Sequence, residues 1–107
     1  MLLFAASCGG GEPAGSTKVS LSDFNFNPKT LEVKAGKAVF YVVNRGATSH
    51  NMVILDSADK QVAKSDLVQA GNSNVFTVDN LPAGTYKVIC DVAGHRELGM
   101  EGTLKAT

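Results

Sequence analysis

Several features that define common protein classes are scarce in this chain. Ten Lys and Arg side chains are balanced by ten Asp and Glu side chains. This leaves no basic stripe of the kind that nucleic-acid binding needs, so we expect no nucleic-acid partner. Beyond the N-terminal leader, no apolar run approaches the ~20 residues of a membrane-spanning helix. The 107 residues fit one small domain with a modest core.

Cysteine and histidine are also scarce, with two of each in the chain. We expect no disulfide, because Cys8 lies in an N-terminal leader and Cys90 lies in a distant loop. His50 and His95 are too few to build the additional metal cluster of an oxidase or a nitrite reductase. A Cys–His nucleophile would need an orienting partner and an oxyanion loop, and neither is evident. We therefore expect no enzyme activity from this chain.

The first 16 residues differ in composition from the rest of the chain. We interpret residues 1–16 as the remnant of a secretory signal that runs into a bacterial lipobox, with Ala6 and Ser7 directly before Cys8. The segment lacks a positive n-region, and its apolar part is too short for a full h-region. The prediction is a lipid anchor at Cys8 and a flexible tether to the domain. This would place the protein in the periplasm or on the outer face of a membrane. A free Cys8 in a cytoplasmic protein is the alternative.

The predicted domain, residues 17–107, has the pattern of short β-strands. Val19 and Leu21 alternate with polar neighbours, as in a half-buried strand. Residues 38–43 form the most apolar run and are rich in β-branched and aromatic side chains, which predicts a central strand. Further strands are predicted at residues 52–55, 75–78, 85–90 and 102–106.

Turns and one polar segment separate these strands. Residues 79–84 have strong turn chemistry. Residues 56–70 are polar, and we predict an irregular stretch with one short helical turn near residues 64–68. Seven or eight strands with almost no helix predict an all-β fold, a Greek-key β-sandwich of two sheets.

One stretch concentrates the side chains that bind soft metals. From Cys90 to Met100 it places a thiol, an imidazole and a thioether at even steps of five residues, with His95 in the middle. Gly94 and Gly99 stand directly before the imidazole and the thioether. Glycine accepts positive φ, so the loop is able to fold back and bring these side chains together.

The chemistry of this set indicates copper. Sulfur ligands combined with imidazole favour copper, and a plane of two His and one Cys with a weak axial Met is the blue-copper arrangement. The stretch contains one imidazole, and the only other histidine is His50, just before the predicted strand 52–55. A single Cys, Met or His is more often a core or surface residue than a ligand. Their joint occurrence at this spacing is what predicts a metal site.

Four segments of the sequence carry a family resemblance. They are FNPKTLEVKAG at residues 26–36, SHN at 49–51, LPAGTY at 81–86, and the pattern Cys-x4-His-x4-Met-x-Gly that ends at Gly102. On these segments the chain resembles the cupredoxins, the small blue-copper proteins, from Lys18 to Thr107. The spacing between Cys and His is most similar to the auracyanin and rusticyanin branch.

The resemblance implies a cupredoxin-like sandwich that holds one type 1 copper ion and carries one electron between redox partners. It implies His50, Cys90 and His95 as equatorial ligands, with Nδ1 of each imidazole on the metal, and Met100 as the axial ligand. It also implies that Asn51 ties the two ligand-bearing segments together. The expected partner is a cytochrome c-type protein or a membrane redox complex that docks on an apolar patch around His95. We expect the carrier to be a monomer.

Asp91 departs from the family pattern, since relatives often carry Ser or Thr directly after the Cys. A carboxylate at this position is able to accept a hydrogen bond from Asn51. Close to the site, it would stabilise Cu(II) over Cu(I) and lower the reduction potential, an effect that solvent would weaken.

A sandwich of this kind also suits copper functions other than electron transfer. A binuclear copper centre of the cytochrome-oxidase type needs two cysteines in the loop, and only Cys90 is there. A periplasmic copper-binding protein or copper chaperone stays open as the alternative. Chaperones tend to use surface ligands rich in Met and His, whereas here the candidate ligands converge on one compact loop. A purely structural sandwich would bind no copper.

Overall fold

A computed structural model describes residues 11–107 of the protein. Cys8, with its predicted lipid anchor, lies outside these residues. Within the described part, the chain forms nine β-strands. No helix in it is long and apolar enough to cross a membrane. The strands are β1 (Thr17–Ser22), β2 (Asn25–Asn27), β3 (Thr30–Val33), β4 (Gly36–Asn44), β5 (Val53–Leu55), β6 (Gln61–Lys64), β7 (Ser73–Leu81), β8 (Gly84–Ile89) and β9 (Glu101–Ala106).

The described strands form two mixed sheets. The first has the order β2-β1-β4-β7 and the second the order β3-β9-β8-β5-β6. β1 pairs with β4 and β3 pairs with β9 in parallel, while the other pairs are antiparallel. Several connections pass from one sheet to the other, for example from β2 to β3 and from β4 to β5. The prediction of an all-β sandwich of two sheets is confirmed.

The core lies between the sheets because apolar side chains alternate along the strands. Successive side chains of a strand point to opposite faces, and in β4 the buried positions are Ala38, Phe40, Val42 and Asn44. Fully burying a large apolar side chain such as Phe40 contributes about 1.5–3 kcal/mol to stability. One cluster of buried residues joins both sheets and also contains Cys90 and Met100. The candidate ligands thus continue the core at one end of the sandwich.

The structure has one strand more than the highest predicted number, and the difference lies in the polar segment 56–70. Gln61–Lys64 forms β6 at the edge of the second sheet, paired with β5. The predicted helical turn near residues 64–68 is wrong, since Lys64 ends β6, residues 65–67 form no helix and Val68 forms a β-bridge with His50. An edge strand exposes most of its side chains to water, so β6 shows none of the apolar alternation that would have revealed it.

Candidate metal centre

Strand register brings three of the candidate ligands to the same end of the second sheet. Val53 pairs with Ile89, and Ile89 pairs with Glu101. The start of β5, the end of β8 and the start of β9 therefore lie side by side. Cys90 directly follows β8 and Met100 directly precedes β9, and the Cys90 amide donates a hydrogen bond to the Met100 carbonyl oxygen at 3.3 Å. His50 lies just before β5.

The loop between Cys90 and Met100 folds back as its glycines predict. Gly94 has φ of 84° and Gly99 has φ of 108°, both in the region that favours glycine. The Met100 amide donates to the His95 carbonyl oxygen at 3.2 Å, and the His95 amide donates to the carbonyl oxygen of Val92 at 2.9 Å. These bonds close the loop over the end of the sheet and turn His95 inward.

The side-chain donors of His50, Cys90 and His95 converge on one point. Nδ1 of His50 lies 3.1 Å from Nδ1 of His95. Sγ of Cys90 lies 3.9 Å from the first nitrogen and 3.6 Å from the second. Both imidazoles present Nδ1, the nitrogen that the resemblance implies. All three donors lie within 4.8 Å of one another.

These separations fit one transition-metal ion. With nitrogen at about 2.0–2.1 Å and sulfur at about 2.3 Å from an ion and equal angles in one plane, nitrogen and sulfur lie about 3.7–3.8 Å apart. The two observed distances between sulfur and nitrogen, 3.9 and 3.6 Å, lie close to this value. The 3.1 Å between the two nitrogens fits the same ion with a smaller angle of about 100° between them. Met100 is fully buried in the same cluster as Cys90. Two imidazoles, a thiol and a buried thioether are the donor set of a type 1 copper site. The described residues contain no other such group of His, Cys and acidic side chains.

His95 is more exposed than the other three candidate ligands. His50, Cys90 and Met100 have no exposed surface, whereas His95 keeps 9% of its surface exposed. Its neighbour along the loop, Leu98, is 62% exposed. His95 is therefore the candidate ligand through which the site reaches the surface of the protein.

Asn51 ties the two ligand-bearing segments together, as the resemblance implies. Its Nδ2 donates to Oδ1 of Asp91 at 2.7 Å, and the Asp91 amide donates to Oδ1 of Asn51 at 3.0 Å. Asn51 follows His50 and Asp91 follows Cys90, so the pair of bonds fixes the spacing of these two donors. The expected acceptor role of Asp91 is confirmed.

Asp91 has a second partner that the sequence did not predict. Nζ of Lys64 lies 2.8 Å from its Oδ2. The hydrogen bond from Lys64 lowers the pKa of Asp91 most, Asn51 lowers it further, and partial burial acts against both. Asp91 is therefore ionised at neutral pH. Lys64 belongs to β6, the edge strand that the polar segment concealed.

Asp23 is a further residue of the site that sequence reasoning missed. Its Oδ1 lies 2.7 Å from Nε2 of His50 and accepts a hydrogen bond from the Thr48 hydroxyl at 3.0 Å. Its Oδ2 accepts from the Ala47 amide at 3.1 Å. The hydrogen bond with His50 is the largest cause that lowers the pKa of Asp23. The turn between β1 and β2 carries Asp23, and nothing in the local sequence separates it from an ordinary turn Asp.

Asn44 holds the connection from β4 to His50. Its Nδ2 donates to the carbonyl oxygens of Thr48 and Val68, both at 2.8 Å, and its Oδ1 accepts from the Gly46 amide at 2.8 Å. Val68 in turn exchanges two backbone hydrogen bonds with His50. The backbone of His50 is thereby fixed independently of its side chain.

Phe24 covers the imidazoles from the side of the first sheet. Its ring centroid lies 4.9 Å from that of His95 at an interplanar angle of 64°, and 6.2 Å from that of His50 at 86°. These are edge-to-face contacts, which aromatic rings favour. Phe24 thus restricts rotation of both rings.

The chain belongs to the cupredoxin-like family, because the family model described as a cupredoxin-like domain matches residues 1–104. No match is found among curated protein sequences. Solved structures of auracyanins, amicyanins and a plastocyanin share the fold.

Three of these structures illustrate the likeness. Auracyanin from the photosynthetic bacterium Roseiflexus castenholzii is 17% identical with a TM-score of 0.77, covering 90% of this chain and 99% of that protein. Auracyanin A from Chloroflexus aurantiacus, a blue copper protein, is 22% identical with a TM-score of 0.72, covering 87% and 100%. Plastocyanin from Dryopteris crassirhizoma is 25% identical with a TM-score of 0.65, covering 85% and 100%.

Proposed function

We propose that the protein is a mononuclear type 1 copper protein that carries one electron at a time between redox partners. The observation that carries this proposal is the convergence of two Nδ1 atoms and one thiol sulfur within 4.8 Å, next to a buried Met. Membership in the cupredoxin-like family supports it. The proposed role is transport of an electron, with no substrate turned over.

The proposed equatorial ligands are His50, Cys90 and His95, and the proposed axial ligand is Met100. Bound copper would supply the one-electron redox couple. Cys90 would bind as the thiolate, so that loading with copper releases a proton. Each His would be neutral, with its lone pair on Nδ1.

The scaffold supports fast electron transfer because it holds the donors in place. Sheet register positions Cys90 and Met100, while the bonds of Asn51 and Asn44 position His50. Donors held by strands and by surrounding hydrogen bonds keep their geometry better than donors on free loops. Little rearrangement would then be needed when the charge of the metal changes.

The proposed route for the electron is the exposed edge of His95. The loop around it also carries Leu98, which is 62% exposed, and the partly buried Val92. An exposed apolar side chain beside a buried redox site suits brief contact with another protein. We propose a cytochrome c-type protein or a membrane redox complex as the partner.

Adding Cu(II) to the purified full-length protein tests the proposal. We expect an intense absorption near ~600 nm from thiolate-to-copper charge transfer. Cys90→Ser should abolish the band, while the matched control Cys8→Ser should keep it. A colourless wild-type mixture would contradict the proposal and favour a structural sandwich.

A copper chaperone is the competing function, and burial of the donors speaks against it. A chaperone passes its ion to another protein by ligand exchange, which needs exposed donors, whereas His50, Cys90 and Met100 have no exposed surface. The copper-loaded protein should therefore reduce or oxidise a cytochrome c without losing copper. Transfer of copper without transfer of an electron would favour the chaperone.

We also propose an extracytoplasmic location with a lipid anchor at Cys8. The support is the composition of residues 1–16, where small residues directly precede the cysteine. Mass spectrometry of the native protein tests the anchor, since a lipid adds a mass that an unmodified Cys8 lacks.

A further inference from the structure

The imidazole of His50 has two ends, and both are occupied in the structure. Nδ1 faces the candidate metal centre, 3.9 Å from Sγ of Cys90. Nε2 lies 2.7 Å from Oδ1 of Asp23. An ionised carboxylate only accepts hydrogen bonds, so Nε2 must carry the proton and Nδ1 keeps its lone pair.

We propose that Asp23 is a positioning residue for copper binding, which fixes the tautomer of His50 and strengthens its Nδ1 as a donor to Cu(II). The inference rests on the copper function proposed above. It concerns a residue 27 positions away from His50 in sequence, in the turn between two strands of the sheet that does not contain β5.

The carboxylate of Asp23 is held for this contact from several directions. The Thr48 hydroxyl and the Ala47 amide each donate to it, at 3.0 and 3.1 Å. Gly46 lets it approach, since a Cβ at that position would overlap Oδ1 of Asp23 and lie 3.0 Å from Nε2 of His50. The imidazole itself is fully buried, while the Asp23 side chain is 26% exposed.

The charge of Asp23 sets the direction of its effect on the site. A carboxylate that accepts the Nε2 proton increases the basicity of the imidazole at the other nitrogen. The more basic imidazole favours the more highly charged Cu(II) over Cu(I), which lowers the reduction potential. Removal of the negative charge should therefore raise the potential.

The test is Asp23→Asn in the full-length protein, with Asp79→Asn, at an exposed position of β7, as the matched control. Asn keeps the size of the side chain and a carbonyl acceptor but removes the charge. Loss of such a partner of a metal-bound His typically costs 10–100-fold in metal affinity, and the partial exposure of Asp23 places the effect at the lower end. We expect about a tenfold loss of Cu(II) affinity, which converts to a rise of about 59 mV if Cu(I) binding is unchanged.

The control separates the contact with His50 from the loss of one negative charge. Asp79→Asn removes an exposed carboxylate of β7 by the same chemical change. Its reduction potential and Cu(II) affinity should stay close to those of the wild type. If Asp79→Asn changes both as much as Asp23→Asn does, or if Asp23→Asn changes neither, the inference is overturned.

A measurement on the metal-free wild-type protein keeps the inference testable if Asp23→Asn does not fold. The 15N NMR spectrum should show His50 with the proton on Nε2 and an unprotonated Nδ1. The opposite tautomer would overturn the inference. Failure of the wild-type protein to form a blue copper site would instead contradict the proposed function, whatever the tautomer of His50.

Discussion

At the scale of single residues, Asp91 is connected to both ligand-bearing segments without being a candidate ligand itself. It follows Cys90 in the chain, accepts from Asn51 at 2.7 Å and pairs with Lys64 at 2.8 Å. The ion pair lies at the surface, with both side chains more than a third exposed, so it adds little to stability. Its consequence is electrostatic, since Lys64 offsets the negative charge next to the candidate ligand Cys90.

This arrangement predicts opposite shifts for two variants. Asp91→Asn should raise the reduction potential, because it removes a negative charge that favours Cu(II). Lys64→Gln should lower it, because the carboxylate loses its counter-charge. Both shifts should stay below a tenfold change in the preference for Cu(II), or about 59 mV, since water screens the pair. Potentiometric titration at low and high salt measures both, and shifts of the same sign would contradict the explanation.

Residues differ in how far the sequence alone predicts their roles. The roles of Cys90, His95 and Met100 are suggested by local spacing, and His50 follows because the chain has no other histidine. Asp23 gives no such signal, because its significance depends on a contact across 27 residues. The sequence around Asp23 predicts no site residue, and the tertiary fold decides which carboxylate meets the imidazole.

At the scale of elements, the connection from β4 to β5 does most to place His50. Asn44, at the end of β4, is 1% exposed and makes hydrogen bonds to Thr48, Val68 and Gly46. Each buried polar group that is left without a partner costs about 1–3 kcal/mol. The connection therefore depends on one buried amide side chain more than on its own exposed residues.

Asn44→Ala should destabilise the fold and weaken copper binding together. The Thr48 carbonyl oxygen and the Gly46 amide lose their partner, while the Val68 carbonyl oxygen keeps its bond from the His50 amide. We expect a loss of about 2–3 kcal/mol in the free energy of unfolding. The exposed Asn80 of β7 provides a control, since Asn80→Ala should change stability by less than about 0.5 kcal/mol. Urea unfolding and copper titration measure the two effects. A variant that is destabilised but binds copper with wild-type affinity would show that Asn44 does not position His50.

The strands differ in whether hydrophobic alternation in the sequence predicts them. β1 and β4 were predicted because one face of each is buried and their side chains alternate. β6 was missed because its four residues are mostly exposed, so hydrophobic alternation carries no information there. β7 extends beyond the predicted residues 75–78 to Leu81, whose side chain returns to the core after the exposed Asp79 and Asn80.

At the scale of the whole molecule, exposed apolar side chains lie both at the end that carries the candidate site and on the sheets. Leu98 is 62% exposed on the loop that carries His95, and Val75 is 50% exposed on β7 of the first sheet. Both are large apolar residues in contact with water, but only Leu98 lies beside a candidate ligand. If the electron leaves through His95, the two positions should differ in partner kinetics and agree in stability.

Leu98→Lys should slow electron exchange with the redox partner, because a charge on the contact surface must be desolvated when the partner docks. The visible spectrum should not change, since Leu98 is not a ligand, and stability should change by less than about 0.5 kcal/mol. Val75→Lys, on β7 of the first sheet, should leave the exchange rate unchanged. Stopped-flow mixing with a cytochrome c compares the three proteins. If both variants slow the exchange equally, the partner does not dock at Leu98 in particular. If Leu98→Lys loses the blue band, the Leu98 side chain is needed for the structure of the loop and not for docking.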